Sequence, residues 1–486
     1  MKWISFKKEM SGCNAYLTVF LALSLTIILS LCLTLIEGVR KNGARFMSEY
    51  AMDVGMNSIL AEYHRELLKQ YDVFFVDTSY GSNLPSLDKT AERLRFYMDG
   101  NLSCEDSALN VVTDLYGLYV QDILIGSPAV ATDDKGSVFR KQAIEYMYDK
   151  YGFSILKDIE AWEKAVVEYE LDGRNLSSER ENVEGQINAI DGSEIQVSEE
   201  EWIAIEVDNP ADQVNVQRNK EILLLAMRDT DNLSDSCFDK TKSASARKLN
   251  QGQGIKEKQN SGEFLQELLL FDEYLLEKCS YYGQESEKSH MKYQIEYILA
   301  GKDNDLDNLK SIAARLIMIR EAANAAYLFS NEGKRAQAAL LAAGVAAVAL
   351  VPELQTLLEY SILFAWAFAE SVYDVRSLFD GGKIPLLKTD DSWHTGIDSL
   401  FDSSESNVDK NETGLSYTDY LRVFLKLERV EKKTMRLLDM AELDIRKTAG
   451  NENFRIDGCI DGMTIEAVLR AVSGYSFIMQ RDCCYE

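Results

Sequence analysis

The sequence contains little proline and little histidine. Five prolines among 486 residues leave long stretches in which a helix can run without interruption. The three histidines, His64, His290 and His394, offer little material for imidazole catalysis or a zinc site. Lys and Arg total 52 against 79 Asp and Glu, a net charge of −27. We do not expect so acidic a chain to bind nucleic acid, because phosphate binding depends on Lys and Arg.

Common catalytic motifs are also missing. The sequence has no G-x-S-x-G, no Walker loop and no C-x-x-C. Residues 303–307 begin like a calcium loop, but an EF-hand needs Gly at position 6 and Glu at position 12, where this chain has Asn308 and Ala314. We interpret these acidic residues as the start of a helix. The sequence predicts no enzymatic activity, no cofactor and no metal site, and a hydrolase with paired carboxylates is the minor alternative.

Charge is absent between Glu9 and Glu37. As a helix, residues 15–36 would span about 33 Å at 1.5 Å per residue, which matches a hydrocarbon core of about 30 Å. A buried helix of a soluble protein rarely runs so far without a charge. A cleaved signal peptide has a shorter apolar segment, followed by a small-residue cleavage site that is missing here. We therefore predict an uncleaved signal anchor that contacts membrane lipid through residues 15–36.

Basic residues do not decide the orientation of this anchor. Three precede it and three follow it: Lys2, Lys7, Lys8, and then Arg40, Lys41, Arg45. The long segment after the anchor reads as a folded domain, and long domains translocate largely regardless of charge. We expect a single-pass protein of the cell membrane with a cytoplasmic N-terminus and an extracellular ectodomain.

Hydrophobic patterning predicts an α+β, helix-rich fold. The transmembrane helix continues into a long helix, followed by a mixed ectodomain with short β-strands and a helical C-terminal half. We assign residues 1–37 to the tail and anchor, 38–228 to an α+β part with an acidic insertion, 229–262 to a flexible linker, 263–450 to a helical part, and 451–486 to a β-hairpin and tail.

Three shorter segments carry particular expectations. Residues 71–77 predict a strand, and residues 109–125 predict one or two strands that stop at Gly126. Residues 336–351 form a second uncharged run, rich in Ala and ended by Pro352. We favour a buried helical hairpin over residues 336–369, and a second membrane segment stays open as the alternative.

Six of the eight cysteines lie beyond the apolar segment. Outside the cell they could form disulfides, but their spacing does not determine the pairing. A bond from Cys459 to either Cys483 or Cys484 would link the two strands of the C-terminal hairpin. We treat this bond as a hypothesis.

Short motifs spread along the chain support a family resemblance. They are YLTVFLAL (16–23), LIEGVR (35–40), EYHRELL (62–68), YDVFF (71–75), NPAD (209–212), YQIEYILAGK (293–302), GGKIP (381–385) and GLSY (414–417). Together they resemble a domain family of unknown function encoded beside tight-adherence (Tad) pilus genes of Gram-positive bacteria. The membrane segment is similar to those of TadE-type pseudopilins, in which a glutamate and an arginine close the apolar helix, as Glu37 and Arg40 do here.

The resemblance implies a pilin-like, membrane-anchored accessory protein that contacts other membrane proteins of a pilus locus. It implies no known activity. Prepilin peptidase substrates place Glu five residues after the Gly at which they are cleaved, whereas the fifth residue after Gly12 is Leu17. Cleavage after Gly12 therefore stays open. The alternative function is a cell-surface binding or sensing module whose acidic ectodomain contacts cations or a basic partner.

Overall fold

A computed structural model describes residues 3–82, 84–102, 116–155, 160–198, 201–218, 221–227, 229–253, 263–397 and 414–485. The first element, α1 (Trp3–Leu60), is a continuous helix of 58 residues, about 87 Å long at 1.5 Å per residue. Among the described helices, α1 alone is long and apolar enough to cross a membrane. Its side chains from residue 16 to Ile36 are almost all exposed, whereas Met52 and Ile59 are buried.

The remaining helices lie mostly in the second half of the chain. In order they are α2 (Arg65–Tyr71), α3 (Leu87–Leu102), α4 (Asp133–Tyr151), α5 (Glu160–Ile190), α6 (Asp212–Arg218), α7 (Ile222–Ala226), α8 (Glu263–Lys278), α9 (Gln294–Ala300), α10 (Asp305–Ser330), α11 (Glu332–Val348), α12 (Leu354–Phe379), α13 (Tyr417–Leu427) and α14 (Val430–Arg446). The strands are β1 (Val76–Asp77), β2 (Leu118–Val130), β3 (Glu194–Ser198), β4 (Glu201–Ala204), β5 (Lys383–Ile384), β6 (Leu415–Ser416), β7 (Cys459–Ala471) and β8 (Ser476–Cys484). The predicted α+β, helix-rich fold is confirmed.

One sheet joins the two ends of the chain. Strand β7 pairs antiparallel with β1, β2 and β8. The second half of α1 and helix α3 pack with this sheet around one apolar core, which includes Met52, Leu94, Ile465 and Leu469. We call this unit, formed by residues 44–60, 76–82, 84–102, 116–130 and 459–485, the anchor lobe. The C-terminal hairpin, assigned to a separate segment on sequence grounds, is thus an integral part of the same sheet as β1 and β2.

The chain between β2 and β7 folds into a helical body. Helix α10 packs against α5, α9 and α12, and α14 packs against α4 and α9. Their shared core contains Leu316, Phe368, Tyr420 and Leu437. Two further two-stranded antiparallel sheets belong to this body, one formed by β3 and β4 and the other by β5 and β6. Helix α5 runs through much of the acidic stretch, where its charged positions remain mostly on the surface.

Two strand predictions differ from the structure. Of residues 71–77, only Val76 and Asp77 form a strand, β1. Tyr71 is instead the last residue of α2. Strand β2 does not stop at Gly126 but continues through Pro128 to Val130. A register shift between Gly126 and Ala129 forms a bulge, and a bulge tolerates a proline that cannot donate to the ladder. Residues 109–115 of this prediction lie outside the described residues.

The second uncharged run forms the helical hairpin α11–α12. Helix α12 is buried along most of its length, with Trp366 completely enclosed. Helix α11 packs on α12 through Ala338, Ala342 and Ala346, where small side chains let the two helices approach closely. Its opposite face is apolar and open, since Leu340 and Val348 are 78% and 85% exposed.

Candidate functional site

The end of the apolar segment lies beside the β7–β8 hairpin. Arg40 is exposed, and Glu37 is half-buried next to Tyr475. A hydrogen bond with Glu37 raises the pKa of the Tyr475 hydroxyl. The ammonium of Lys41 lies 5.3 Å from the centre of the Tyr475 ring, within the range of a cation–π contact. The two residues predicted to bound the membrane anchor are therefore next to the folded anchor lobe rather than separated from it by a linker.

The same hairpin contacts α1 further along. Arg481 Nε lies 4.0 Å from Asp53 Oδ1, and the hydroxyl of Tyr485 donates a hydrogen bond to the backbone oxygen of Leu60. Strand β8 therefore follows α1 from Lys41 to the end of the helix. This attachment fixes the sheet to the helix that carries the apolar segment.

The three cysteines singled out in the sequence are not brought together. Cys459 and Cys483 are free, buried thiols, and the side chain of Cys484 is exposed. Cys483 faces Met463 across the hairpin, four residues along β7 from Cys459 and so about 13 Å away. A disulfide needs Cα atoms within about 7 Å. Burial also raises the pKa of the Cys483 thiol to about 11, which disfavours the reactive thiolate.

Four buried charged side chains meet where α10 and α12 contact the loop after β5. Nζ of Lys388 donates to Glu370 Oε1 at 2.6 Å and to Asp374 Oδ1 at 2.7 Å. Nε of Arg320 donates to Asp374 Oδ2 at 3.0 Å. All four side chains are fully buried. Two carboxylates and two cations balance in charge, as burial in a low-dielectric interior requires.

Glu370 accepts hydrogen bonds from Lys388 and from the backbone of His394 and Thr395. Burial alone would raise the pKa of Glu370, but hydrogen bonds from the His394 and Thr395 region and the charge of Lys388 lower it to about 2. The backbone N–H of Thr395 donates to Glu370 Oε2 at 2.8 Å, and so does the Thr395 hydroxyl. These bonds hold the loop that contains Trp393 against α12.

Among the described residues, Glu370, Asp374 and His394 are close enough together to ligate one metal ion. They offer ligand atoms within 4.8 Å of one another. However, the ammonium of Lys388 is bonded to both carboxylates and takes the position between them that a metal ion would need. We therefore assign the cluster a structural role, in which Lys388 supplies the positive charge.

A buried carboxyl in the YQIEYILAGK motif has a different environment. Oε1 of Glu296 accepts hydrogen bonds from the Tyr417 hydroxyl at 2.6 Å and from the backbone N–H of Tyr282 at 2.9 Å. Its other oxygen is buried without a hydrogen-bond partner. Because burial outweighs these bonds, the pKa of Glu296 rises to about 7. This side chain is therefore close to its point of half-protonation at neutral pH.

A polar cavity of about 610 Å³ lies in the helical body. It is bounded by residues 132–135 at the start of α4 and by residues 244–253. Asp134, Lys135 and Gly136 all have left-handed backbone conformations, with φ of 46°, 58° and 83°. The Thr132 hydroxyl at the cavity wall is buried and has no hydrogen-bond partner.

Arg247 holds the second wall of this cavity, residues 244–253, in place by hydrogen bonds. Its guanidinium donates two bonds of 2.6 Å to Glu442 and one of 2.6 Å to Asp457. The backbone N–H of Gly252 also donates to Asp133 Oδ1 at 2.7 Å. The backbone N–H of Gln253 donates to the Pro128 oxygen in β2 at 2.9 Å. The described part of the predicted linker, residues 229–253, thus contacts the rest of the body and the anchor lobe, and residues 254–262 lie outside the described residues.

Comparison with known families gives one match. The model of a family of unknown function, DUF5702, matches residues 200–471, more than half of the chain. The chain belongs to the DUF5702 family. No curated protein and no solved structure matches it significantly. The DUF5702 match covers most of the helical body and strand β7, and it excludes α1 and β8. The predicted membership of a domain family of unknown function is confirmed, and the link to pilus genes stays a prediction.

Sequence reasoning did not find the buried charge cluster. Glu370 and Asp374 are one helical turn apart, a spacing that normally indicates a solvated face. The available signal was their position within the otherwise apolar helix α12, where ionised side chains need partners. Lys388 and His394 lie in the loop after β5. Helix or strand periodicity therefore could not predict that they contact the carboxylates of α12.

Proposed function

We propose that this DUF5702 protein is a membrane-anchored, extracytoplasmic assembly component that acts by protein–protein contact. The observation that carries the proposal is the continuity of α1. One helix presents an exposed apolar surface from residue 16 to Ile36 and then buries Ala51, Met52 and Ile59 in the anchor lobe. Movement or packing of the helix within the bilayer would therefore be transmitted directly to the folded lobe.

The surface of α1 suits contact with other membrane helices. The hydroxyls of Ser24, Thr26 and Thr34 donate hydrogen bonds to backbone oxygens of α1 itself at 2.7–2.8 Å. These hydroxyls therefore need no hydrogen-bond partner from another helix. The space around Gly38 is open, with no atom within 4 Å of the position that a Cβ would take. Small residues let membrane helices approach closely.

We place the N-terminus in the cytoplasm and the anchor lobe and body outside the cell. The sequence resemblance described above supports a Tad-type pilus or secretion system as the context, with other membrane proteins of that locus as partners. Glu37 and Arg40 occupy the positions at which TadE-type pseudopilins carry a glutamate and an arginine. In this proposal, Glu37 and Arg40 select the partner at the membrane surface.

Affinity purification from cross-linked membranes tests the proposal. We expect the tagged full chain to retain membrane proteins of the pilus locus, and Glu37→Ala with Arg40→Ala to lose them. Arg45→Ala is the matched control, because Arg45 is an exposed basic residue on the same helix that pairs with Glu49 instead. An unchanged partner set in the double variant would contradict the role of Glu37 and Arg40.

Protease treatment of intact cells tests the orientation. We expect external protease to degrade the body and the anchor lobe while sparing a fragment with the cytoplasmic N-terminus. Full protection of the body in intact cells, with cleavage only after lysis, would place it inside the cell and overturn the proposal.

The polar cavity favours a second candidate, a cell-surface binding or sensing module. Its volume of about 610 Å³ falls within the range of small-molecule sites, and side chains of both charge signs, Asp134 and Lys135 among them, line it. Native mass spectrometry of the purified full chain tests this candidate. A bound small molecule that is lost in Asp134→Asn would support sensing, and an unliganded mass from cell-derived protein would count against it.

A further inference from the structure

The β7–β8 hairpin is aligned with the axis of α1. Its contacts pair Tyr475 with Lys41, Arg481 with Asp53, and Tyr485 with Leu60. From Lys41 to Leu60 the helix rises about 28 Å. From Tyr475 to Tyr485 an extended chain covers about 33 Å. The similar lengths show that β8 runs nearly parallel to α1, so the loop that precedes β8 is at the end nearest the apolar segment.

The position of this loop relative to a bilayer follows from α1. Lys41 comes five residues after Ile36, about 7.5 Å along the helix. The polar layer of each leaflet is about 5–8 Å thick outside the hydrocarbon core. The Tyr475 ring, which lies beneath Lys41, is therefore at the level of the lipid headgroups. Residues 472–474 lie beyond Tyr475 in the direction of the bilayer.

The chemistry of the loop fits that level. Val472 is 80% exposed, although it is a large apolar residue. Tyrosine, with an apolar ring and a polar tip, is enriched at the interface between lipid and water. Three exposed basic residues lie beside the loop and would attract the phosphates of lipid headgroups: Arg40, Lys41 and Arg470.

Hydrogen bonds hold the loop in this position. The backbone N–H of Val472 donates to the Gly117 oxygen at 2.9 Å, and the N–H of Ala471 donates to the Tyr475 oxygen at 2.8 Å. Gly474 takes a φ of 92° that closes the turn. The exposed Val472 side chain is therefore presented on a fixed support rather than on a loose segment.

We propose that residues 472–475 form a second membrane contact, in which the β7–β8 loop enters the headgroup layer beside the exit of α1. The occupant of this surface is the same bilayer that holds α1, so the inference rests on the proposed membrane anchoring. The contact would fix the anchor lobe upright on the membrane and prevent it from swinging about the end of the apolar segment.

Photocrosslinking of the full chain to lipid tests the contact. The chain is placed in nanodiscs of equal parts phosphatidylglycerol and phosphatidylethanolamine, with p-benzoylphenylalanine replacing Val472, and lipid adducts are measured by mass spectrometry. The matched control carries the same substitution at Ile478, which is 71% exposed on the same hairpin but about 10 Å further from the bilayer. A third variant carries it at Leu29, within the apolar part of α1.

We expect adducts at Leu29 and Val472, with a yield at Val472 several times that at Ile478. Adducts at Leu29 without adducts at Val472 would overturn the second contact and leave the anchoring intact. Equal yields at Val472 and Ile478 would also overturn it, because the hairpin would then lie flat on the lipid. A missing adduct at Leu29 would contradict the anchoring itself.

Discussion

Nζ of Lys388 lies 2.6 Å from Oε1 of Glu370, and both side chains are completely buried. This ion pair connects the loop after β5 to α12, and Asp374 shares the same ammonium. Replacing both partners of such a pair by apolar groups can be nearly neutral, but removing one partner leaves an uncompensated buried charge. Replacing Lys388 alone should therefore destabilise the body.

We predict that Lys388→Met lowers the free energy of unfolding by about 3–5 kcal/mol, the usual cost of breaking a buried ion pair on one side. The urea midpoint of the detergent-solubilised full chain measures this loss. Lys383→Met is the matched control, because Lys383 is exposed on β5 in the same loop region. Its expected effect is within about 0.5 kcal/mol. Equal midpoints for the two variants would contradict a stabilising role for the cluster.

Glu296 should make stability depend on pH. Its pKa of about 7 in the folded chain exceeds the ordinary value of 4.5, because the side chain is buried. The folded state therefore binds this proton more tightly than the unfolded state. The resulting stabilisation is complete below pH 4.5 and is lost as the pH rises to 7, a change of about 3 kcal/mol.

Glu296→Gln should remove this dependence. Glutamine keeps an oxygen that can accept from Tyr417 and Tyr282, but it carries no charge. We expect the variant to match the parent near pH 4.5 and to exceed its free energy of unfolding by about 2–3 kcal/mol at pH 8. Denaturation at both pH values measures the difference. Glu287→Gln, at an exposed position, should follow the parent at each pH, and a Glu296→Gln variant that does the same would disprove the prediction.

The left-handed start of α4 should not tolerate a side chain at Gly136. A Cβ there would lie 2.6 Å from Thr434 Cγ2 and 3.0 Å from Leu438 Cδ1, and φ is 83°. Gly283 has nearly the same φ, 85°, but no atom lies within 4 Å of its Cβ position. We expect Gly283→Ala to cost about 1 kcal/mol from backbone strain alone.

Gly136→Ala should cost more, about 2–4 kcal/mol, because a clash with α14 is added to the same strain. Thermal unfolding of the two variants side by side measures the difference. If Gly136→Ala were no less stable than Gly283→Ala, the close packing between the start of α4 and α14 would be refuted.

Arg247 should control the attachment of residues 240–253. Arg247→Ala removes the bonds to Glu442 and Asp457, both of which are buried. We expect amide hydrogen exchange in residues 243–253 to become markedly faster and the free energy of unfolding to fall by about 3 kcal/mol. Lys242→Ala is the control, since the Lys242 side chain is 79% exposed and pairs with nearby Asp239. Unchanged exchange in Arg247→Ala would show that the segment is held by other contacts.

The sequence predicted the parts of the fold that depend on local pattern. A gap in charge between Glu9 and Glu37 predicted the exposed part of α1, and the hydrophobic pattern of residues 451–486 predicted the C-terminal hairpin. These signals are local, because the spacing of apolar residues along a helix or strand is visible within the segment itself. The course of β2 through Pro128 was missed, since the bulge that accommodates the proline depends on pairing with the distant strand β7.

The candidate sites depended still more on distant contacts. Arg247 lies in a polar stretch that reads as a linker, and only the folded chain shows that it contacts Glu442 and Asp457. The suggested disulfide between Cys459 and Cys483 is ruled out by the distance between them, for a related reason. Both residues lie in the predicted hairpin, but the register that separates them is set by pairing along the whole of β7.

The placement of β7 has a consequence for biosynthesis. Strands β1 and β2 do not pair with each other, and each finds its partner in β7. Until residues 459–471 have been synthesised, the chain therefore holds its helical body beside two unpaired strands. The anchor lobe is completed last, so a truncation before β7 would leave β1 and β2 without their partner strand and exposed to aggregation and proteolysis.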